Sequence, residues 1–168
     1  MKIFLIGFMG TGKSYWGRQL SEKLGMRFFD LDEEVCNHAG KSIRKIFEDE
    51  GEEQFRLQEK EVLHIITESH DSFILACGGG TPCYFNNIDY LKESGITVWF
   101  NTQQDVLFKR LLAEKEIRPL IHNLTDEQLL AFIARKMADR RIYYEQADIH
   151  IEGEPVQLDQ LIEIIFHA

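Results

Sequence analysis

The stretch Gly7-Phe8-Met9-Gly10-Thr11-Gly12-Lys13-Ser14 sets glycines, a lysine and a hydroxyl at the spacing of a phosphate-binding loop. It follows the apolar run Ile3-Phe4-Leu5-Ile6 and opens a helix-compatible segment. Glycines let successive backbone N–H groups turn toward one anion, and the helix that follows adds its positive N-terminal end to the same point. Gly10, Thr11, Gly12 and Tyr15 are therefore expected around a bound nucleotide, with Lys13 reaching the terminal phosphates and Ser14 ligating Mg²⁺. A chance match in a chain of this size arises roughly once in a few hundred sequences.

A second group of candidates is acidic. The run Arg27-Phe28-Phe29-Asp30-Leu31-Asp32 reads as a strand ending in two carboxylates, and a period of two places both on one face if the strand continues that far. Phosphoryl transfer needs an acid near its metal, and many P-loop ATPases and GTPases take it from the end of a later strand. Here that strand ends at Cys77, which leaves Asp30 as the substitute. Without that acid, and without an Asn-Lys-x-Asp guanine-reading motif, a switch GTPase or a motor ATPase fits poorly. A kinase acting on a small metabolite fits better than a nucleotide-dependent binding module. Arg56 and Arg140 have the planar fork that bonds both oxygens of a carboxylate, although spacing alone does not separate them from surface arginines.

The elements that must position these residues alternate along the chain. Apolar spacing predicts a helix over 13–24 ended by Gly25, two short helices over 33–49 broken at Gly40, and a longer helix over 54–68. Strands are expected at 3–6, 27–32, 73–77, 96–100 and 147–151. Further helices are expected at 86–93, 105–115, 126–145 with Thr125 as cap, and 156–166. Five strands alternating with helices make an α/β three-layer fold with a parallel sheet, whose ligands sit at the carboxyl edge.

Length and composition agree with one domain over residues 1–168: 44% of residues are hydrophobic, enough for a sizeable core. The formal charge of −9, from 19 basic and 28 acidic residues, disfavours nucleic acid or an anionic membrane as partner. No apolar run is long enough to span a bilayer and Met1-Lys2 leads straight into a strand, so a cytoplasmic location is expected. Cys36, Cys77 and Cys83 lack metal-ligand spacing and read as reduced thiols.

Taken together, Gly7 to Ser14, Asp30-Leu31-Asp32, Phe55-Arg56-Leu57-Gln58-Glu59, Gly78-Gly79-Gly80, Arg118-Pro119-Leu120, and Arg140 four residues before Tyr144 resemble shikimate kinase in order and spacing across nearly the whole chain. The resemblance implies a P-loop kinase fold of the nucleoside monophosphate kinase type. It also implies transfer of the ATP γ-phosphoryl group to the 3-hydroxyl of shikimate by a monomer using Mg²⁺. On that pattern Asp32 holds the acceptor hydroxyls and takes the proton, while Asp30 supports Mg²⁺ through water. Arg56 and Arg140 clamp the acceptor carboxylate, and Gly78, Gly79 and Gly80 approach the acceptor. Arg118 swings over the phosphates on a lid at 113–124, Arg110 and Pro155 sandwich the adenine, and 33–62 forms the acceptor segment. Two residues depart from the pattern: Cys77 stands where Ser or Thr is usual, and Cys36 where Glu is. Another small-metabolite kinase, of the gluconate type, is the competing enzyme reading.

Overall fold

Residues 2–6 are apolar without alternation after Lys2 because both faces of the strand they form are covered, as parallel sheets require. The computed structural model describes residues 1–155 and 157–167. In it β1 (Lys2–Ile6), β2 (Arg27–Asp30), β3 (Phe73–Ala76), β4 (Ile96–Asn101) and β5 (Ile149–Glu152) form one parallel sheet in the order β2-β3-β1-β4-β5. From Phe4 and Ile6 on one face, a core extends through Phe73, Leu75, Leu63 and Ile66. From Ile3 and Leu5 on the other face it extends through Leu20, Ile74, Val98 and Leu161. The chain passes from the β2/β3 side of β1 to its β4/β5 side, which makes the carboxyl end of β1 the crevice where such sheets bind ligands.

Helices α1 (Lys13–Leu24), α2 (Leu31–Ala39), α3 (Ile43–Glu50), α4 (Glu52–Ser69), α5 (Asn87–Ser94), α6 (Gln104–Ala113), α7 (Asp126–Tyr144) and α8 (Leu158–His167) complete the layers, with short 3₁₀ turns at Thr81–Cys83 and Lys115–Ile117. The first helix has the expected bounds, and Thr125 caps α7 in a reciprocal capping box with Gln128. The expected start of the last helix at Val156 lies outside the described residues. Gly40 ends α2 at φ 70°, a left-handed value that suits glycine and separates two helices as its position predicts.

One expectation is corrected. The strand does not run to Asp32: it stops at Asp30, whose side chain accepts from the backbone N–H groups of Asp32 and Glu33 and so caps α2. An Asp cap of this kind contributes about 1 kcal/mol, and aspartate is among the residues that strands disfavour. Asp32 therefore sits in the first turn of a helix, and the shared-face argument from strand periodicity does not apply to it.

A third apolar cluster joins Phe8 of the loop to Leu107, Leu111, Leu129 and Ile133 of α6 and α7, and includes Ile121 from the connection between those helices. Ile117 and Leu120 in the same connection are exposed. Among the described residues no helix is long and apolar enough to cross a membrane.

Candidate active site

Parallel register brings three strand ends side by side, with Asp30 and Leu5 both opposite Ala76, so the phosphate-binding loop, the acidic pair and the glycine triplet converge. Gly10 and Gly12 take φ of 82° and 89°, which a residue with a β-carbon rarely adopts. Beside them lies a cavity of about 560 Å³, lined by Gly10, Gly12, Lys13, Ser14, Tyr15, Asp30, Asp32, Gly78, Gly79, Arg110 and Arg118. Two of the expected nucleotide residues do not line this cavity, although each adjoins a residue that does. Thr11 is buried and its hydroxyl donates to the Phe8 carbonyl at 2.9 Å, while Pro155 lines a neighbouring open groove with Glu154 and Ile164.

Lys13 does not project across the cavity. Its Nζ donates to the carbonyls of Gly7 and Phe8 at 2.6 and 2.8 Å, folded back onto its own loop. Burial lowers its pKa to about 8, against the opposing pull of Asp32, Cys77 and Asp30. The Cys77 thiol is pushed well above its ordinary range by burial and stays neutral, a weak donor where a hydroxyl would be a stronger one. Ser14 Oγ donates to Asp30 Oδ2 at 2.5 Å, so a hydroxyl and a carboxylate oxygen stand together at the start of α1.

A second cavity, of about 360 Å³, adjoins the first and shares Asp32, Gly78, Gly79 and Arg118 with it. Its remaining walls come from Arg56, Glu59, Gly80 and Arg140, and from the apolar surfaces of Ile43, Phe47, Phe55 and Leu120. Asp32 is raised above the usual aspartate value by desolvation and by the charge of Asp30, with Lys13, Arg56 and Arg118 pulling the other way. Arg140 is 9% exposed and lies over the Phe8 ring with its guanidinium carbon 5.5 Å from the centroid. Its Nη1 is buried without a hydrogen-bond partner, and it has no carboxylate within ion-pair distance among the described residues. A buried cation without a counter-charge is costly, so an anion in this cavity would satisfy a group that the fold leaves open.

Arg56 is anchored differently. Its Nη1 donates to Glu59 Oε1 at 3.0 Å, one helical turn along α4, and its guanidinium lies over Tyr84, 4.3 Å from the ring centroid. Glu59 is fully buried and also accepts from the Thr81 hydroxyl at 2.9 Å. Burial raises the Glu59 carboxyl, against the downward pull of Arg56 and Thr81. The residues at i and i+3 face each other on a helix, a signal present in the sequence but assigned no role there.

Each glycine of the triplet makes room for a different charged side chain. A Cβ on Gly78 would stand 2.9 Å from Glu59 Oε2 and 3.1 Å from Asp32 Oδ1, one on Gly79 would stand 3.0 Å from Arg140 Nη1, and one on Gly80 would stand 2.5 Å from Arg56 Nη2. Tyr144, one turn after Arg140 on α7, donates to the Gly79 carbonyl at 2.5 Å and pins the triplet from behind. Arg118 pairs with Glu114, its Nε donating to Oε2 at 2.6 Å. Arg110 pairs with Glu154. These two glutamates, like Glu59, escape a reading of the sequence.

Comparisons with known proteins agree with this geometry. A family model described as shikimate kinase matches residues 9–167. A shikimate kinase of Azobacteroides pseudotrichonymphae is 37% identical over 162 residues, covering 96% of this chain and 95% of that protein. The crystal structure of shikimate kinase from Bacteroides thetaiotaomicron superposes with a TM-score of 0.93 at 31% identity, covering 100% and 99% of the two chains. Shikimate kinase from Acinetobacter baumannii in complex with shikimate gives a TM-score of 0.86 at 34% identity, covering 99% and 93%. With a loop built for phosphates beside a carboxylate and two buried arginines, and with similarity along its whole length, this chain belongs to the shikimate kinase family.

Proposed function

We propose that the two adjoining cavities are the donor and acceptor chambers of one monomeric kinase. In this reading ATP lies along the phosphate-binding loop and shikimate lies among Asp32, Arg56, Gly78, Gly79, Gly80 and Arg140. The observation that carries it is Arg140: buried, without a counter-charge among the described residues, and facing the same small cavity as a second guanidinium and a carboxylate. A small acid bearing hydroxyls complements that set. Its carboxylate takes the two guanidinium forks, and its hydroxyl meets Asp32.

In the transfer itself the acceptor hydroxyl oxygen forms a bond to the γ-phosphorus as the β–γ bridging bond breaks. The hydroxyl proton passes to Asp32 and ADP leaves. The loose transition state asks little covalent chemistry of the protein, so positioning by Asp32 and the arginines and charge neutralisation by Lys13 and Arg118 do most of the work. Ser14 and Asp30 are hard oxygen donors at the loop, a set that fits Mg²⁺, which holds few protein ligands and keeps several waters. Ser14, with Asp30 acting through water, would hold the ion, which would supply charge neutralisation for the transferring phosphoryl group. Within the expected lid, 113–124, Ile121 is buried against Leu111 and Leu129, so in this reading the part that folds over both chambers is 114–120, which carries Arg118, and its closure would exclude water.

A coupled assay with ATP and Mg²⁺ over a panel of acceptors tests the function. Shikimate is expected to turn over at least about 100-fold more efficiently than gluconate, because the apolar wall of Ile43, Phe47 and Phe55 suits the face of a ring better than an open polyol chain. Comparable rates on the two would point to a gluconate-type kinase.

Lys13 supplies a pH prediction. Its depressed pKa leaves it charged at neutral pH and neutral as the pH rises through about 8. KM for ATP is therefore expected to be flat up to about pH 7 and to rise above about 8, by at most about tenfold per unit. Stability of the nucleotide-free protein should move the opposite way. The unfolded lysine holds its proton to a higher pH than the folded one, so its contribution to stability grows between about 8 and 10.5. A KM for ATP that stays constant from pH 7 to 9 would show that the charge of this lysine is not used.

A further inference from the structure

Two glutamates, Glu114 and Glu154, line the donor chamber beyond the acidic strand end. A carboxylate is an unfavourable neighbour for a polyphosphate, so its presence there needs a reason. Glu154 follows β5 by two residues, and its Oε2 accepts from Arg110 Nη2 at 2.6 Å. Its Oε1 accepts from the hydroxyl of Thr102, a buried residue immediately after β4, at 3.4 Å. Arg110 projects from α6, and its Nη1 donates to the Gly10 carbonyl of the phosphate-binding loop at 2.9 Å. The arginine is thus held along its edge at two points, one on the loop and one on the adjacent strand ends. The pair is about one-third exposed, so it adds little to folding.

We infer that Glu154 is a positioning residue for the nucleotide: it fixes the guanidinium of Arg110, which the family resemblance assigns to the adenine, at the rim of the donor chamber as a flat, charge-compensated surface. Edge-on hydrogen bonds leave the two faces of a guanidinium free to stack. Its charge, already matched by Glu154, adds little to the pull on a polyanion. The inference rests on the assignment of Arg110 to the nucleotide.

Titration calorimetry of the full chain with ATP and with ADP tests it, alongside steady-state kinetics. Glu154→Ala is expected to weaken ATP and ADP to the same degree, about fivefold, without changing KM for shikimate. Arg110→Ala should weaken both nucleotides at least as much, and the double variant no further, because the two residues act as one unit. Unchanged or tighter binding by Glu154→Ala overturns the inference, as does a loss much larger for ATP than for ADP, or additive losses in the double variant. Should Arg110→Ala itself bind both nucleotides normally, the nucleotide assignment of Arg110 falls as well. If only Arg110→Ala weakens binding, the role of Glu154 alone is lost.

Discussion

Asp32→Asn is expected to lower kcat with shikimate by about 10²- to 10⁴-fold while KM for ATP stays within about threefold. The amide keeps the size of the side chain and one acceptor oxygen, so the acceptor still binds, but it cannot take the hydroxyl proton. Asp32 lies on the border of both chambers, on the first turn of a helix capped by Asp30, so its placement does not depend on its own charge. Desolvation and the neighbouring Asp30 raise its pKa, which sets the sign of the pH effect. Activity of the unmodified enzyme should fall as the pH drops through a value above the usual aspartate range, because the base is then protonated. That acid limb should be absent from the residual activity of Asp32→Asn. A kcat near normal in the variant would remove Asp32 from the chemistry.

Arg56→Ala is expected to raise KM for shikimate by about 30- to 100-fold, and it carries a second penalty that Arg140→Ala does not. Glu59 is fully buried and makes its ion pair with Arg56, so truncating the arginine strands a carboxylate in the core, at about 3–5 kcal/mol. Among the described residues Arg140 has no carboxylate within ion-pair distance to strand. The two variants should therefore share a weakened KM and part company in thermal unfolding, with Arg56→Ala melting markedly lower. Adding Glu59→Gln to Arg56→Ala should recover much of the melting temperature and none of the KM. Equal melting temperatures for the two single variants would mean that Glu59 does not depend on Arg56.

How much of this was legible in the sequence follows from how local each feature is. The phosphate-binding loop is eight consecutive residues, and its glycines, lysine and serine carry their meaning without any tertiary information. Gly25, Gly40 and Thr125 mark helix ends through backbone chemistry that is equally local. The acidic pair was half legible: both residues were identified, but a cap hydrogen bond overrode the strand periodicity and moved Asp32 onto a helix. Arg56 and Arg140 lie on different helices far apart in sequence, and only the resemblance to a family joined them before the fold did. Glu59, Glu114 and Glu154 remained hidden because an acidic residue on a helix or after a strand is ordinarily solvated. What distinguishes Glu154 is that β4 and β5 are adjacent in the sheet, a fact of topology.

The burial of Ile121 among Leu107, Leu111 and Leu129 bears on the thermodynamics of turnover. It fastens the far end of the 114–120 strap to the same apolar plug that holds its near end, leaving seven residues between two fixed posts. With both ends fixed, a rearrangement of this strap changes only a few backbone dihedrals, and the turn at Lys115–Ile117 already orders part of it. A strap of that length also has a short stroke, and Arg118, Pro119 and Leu120 already border the acceptor chamber. In the proposed reading, closure of this strap leaves the sheet beneath it undisturbed.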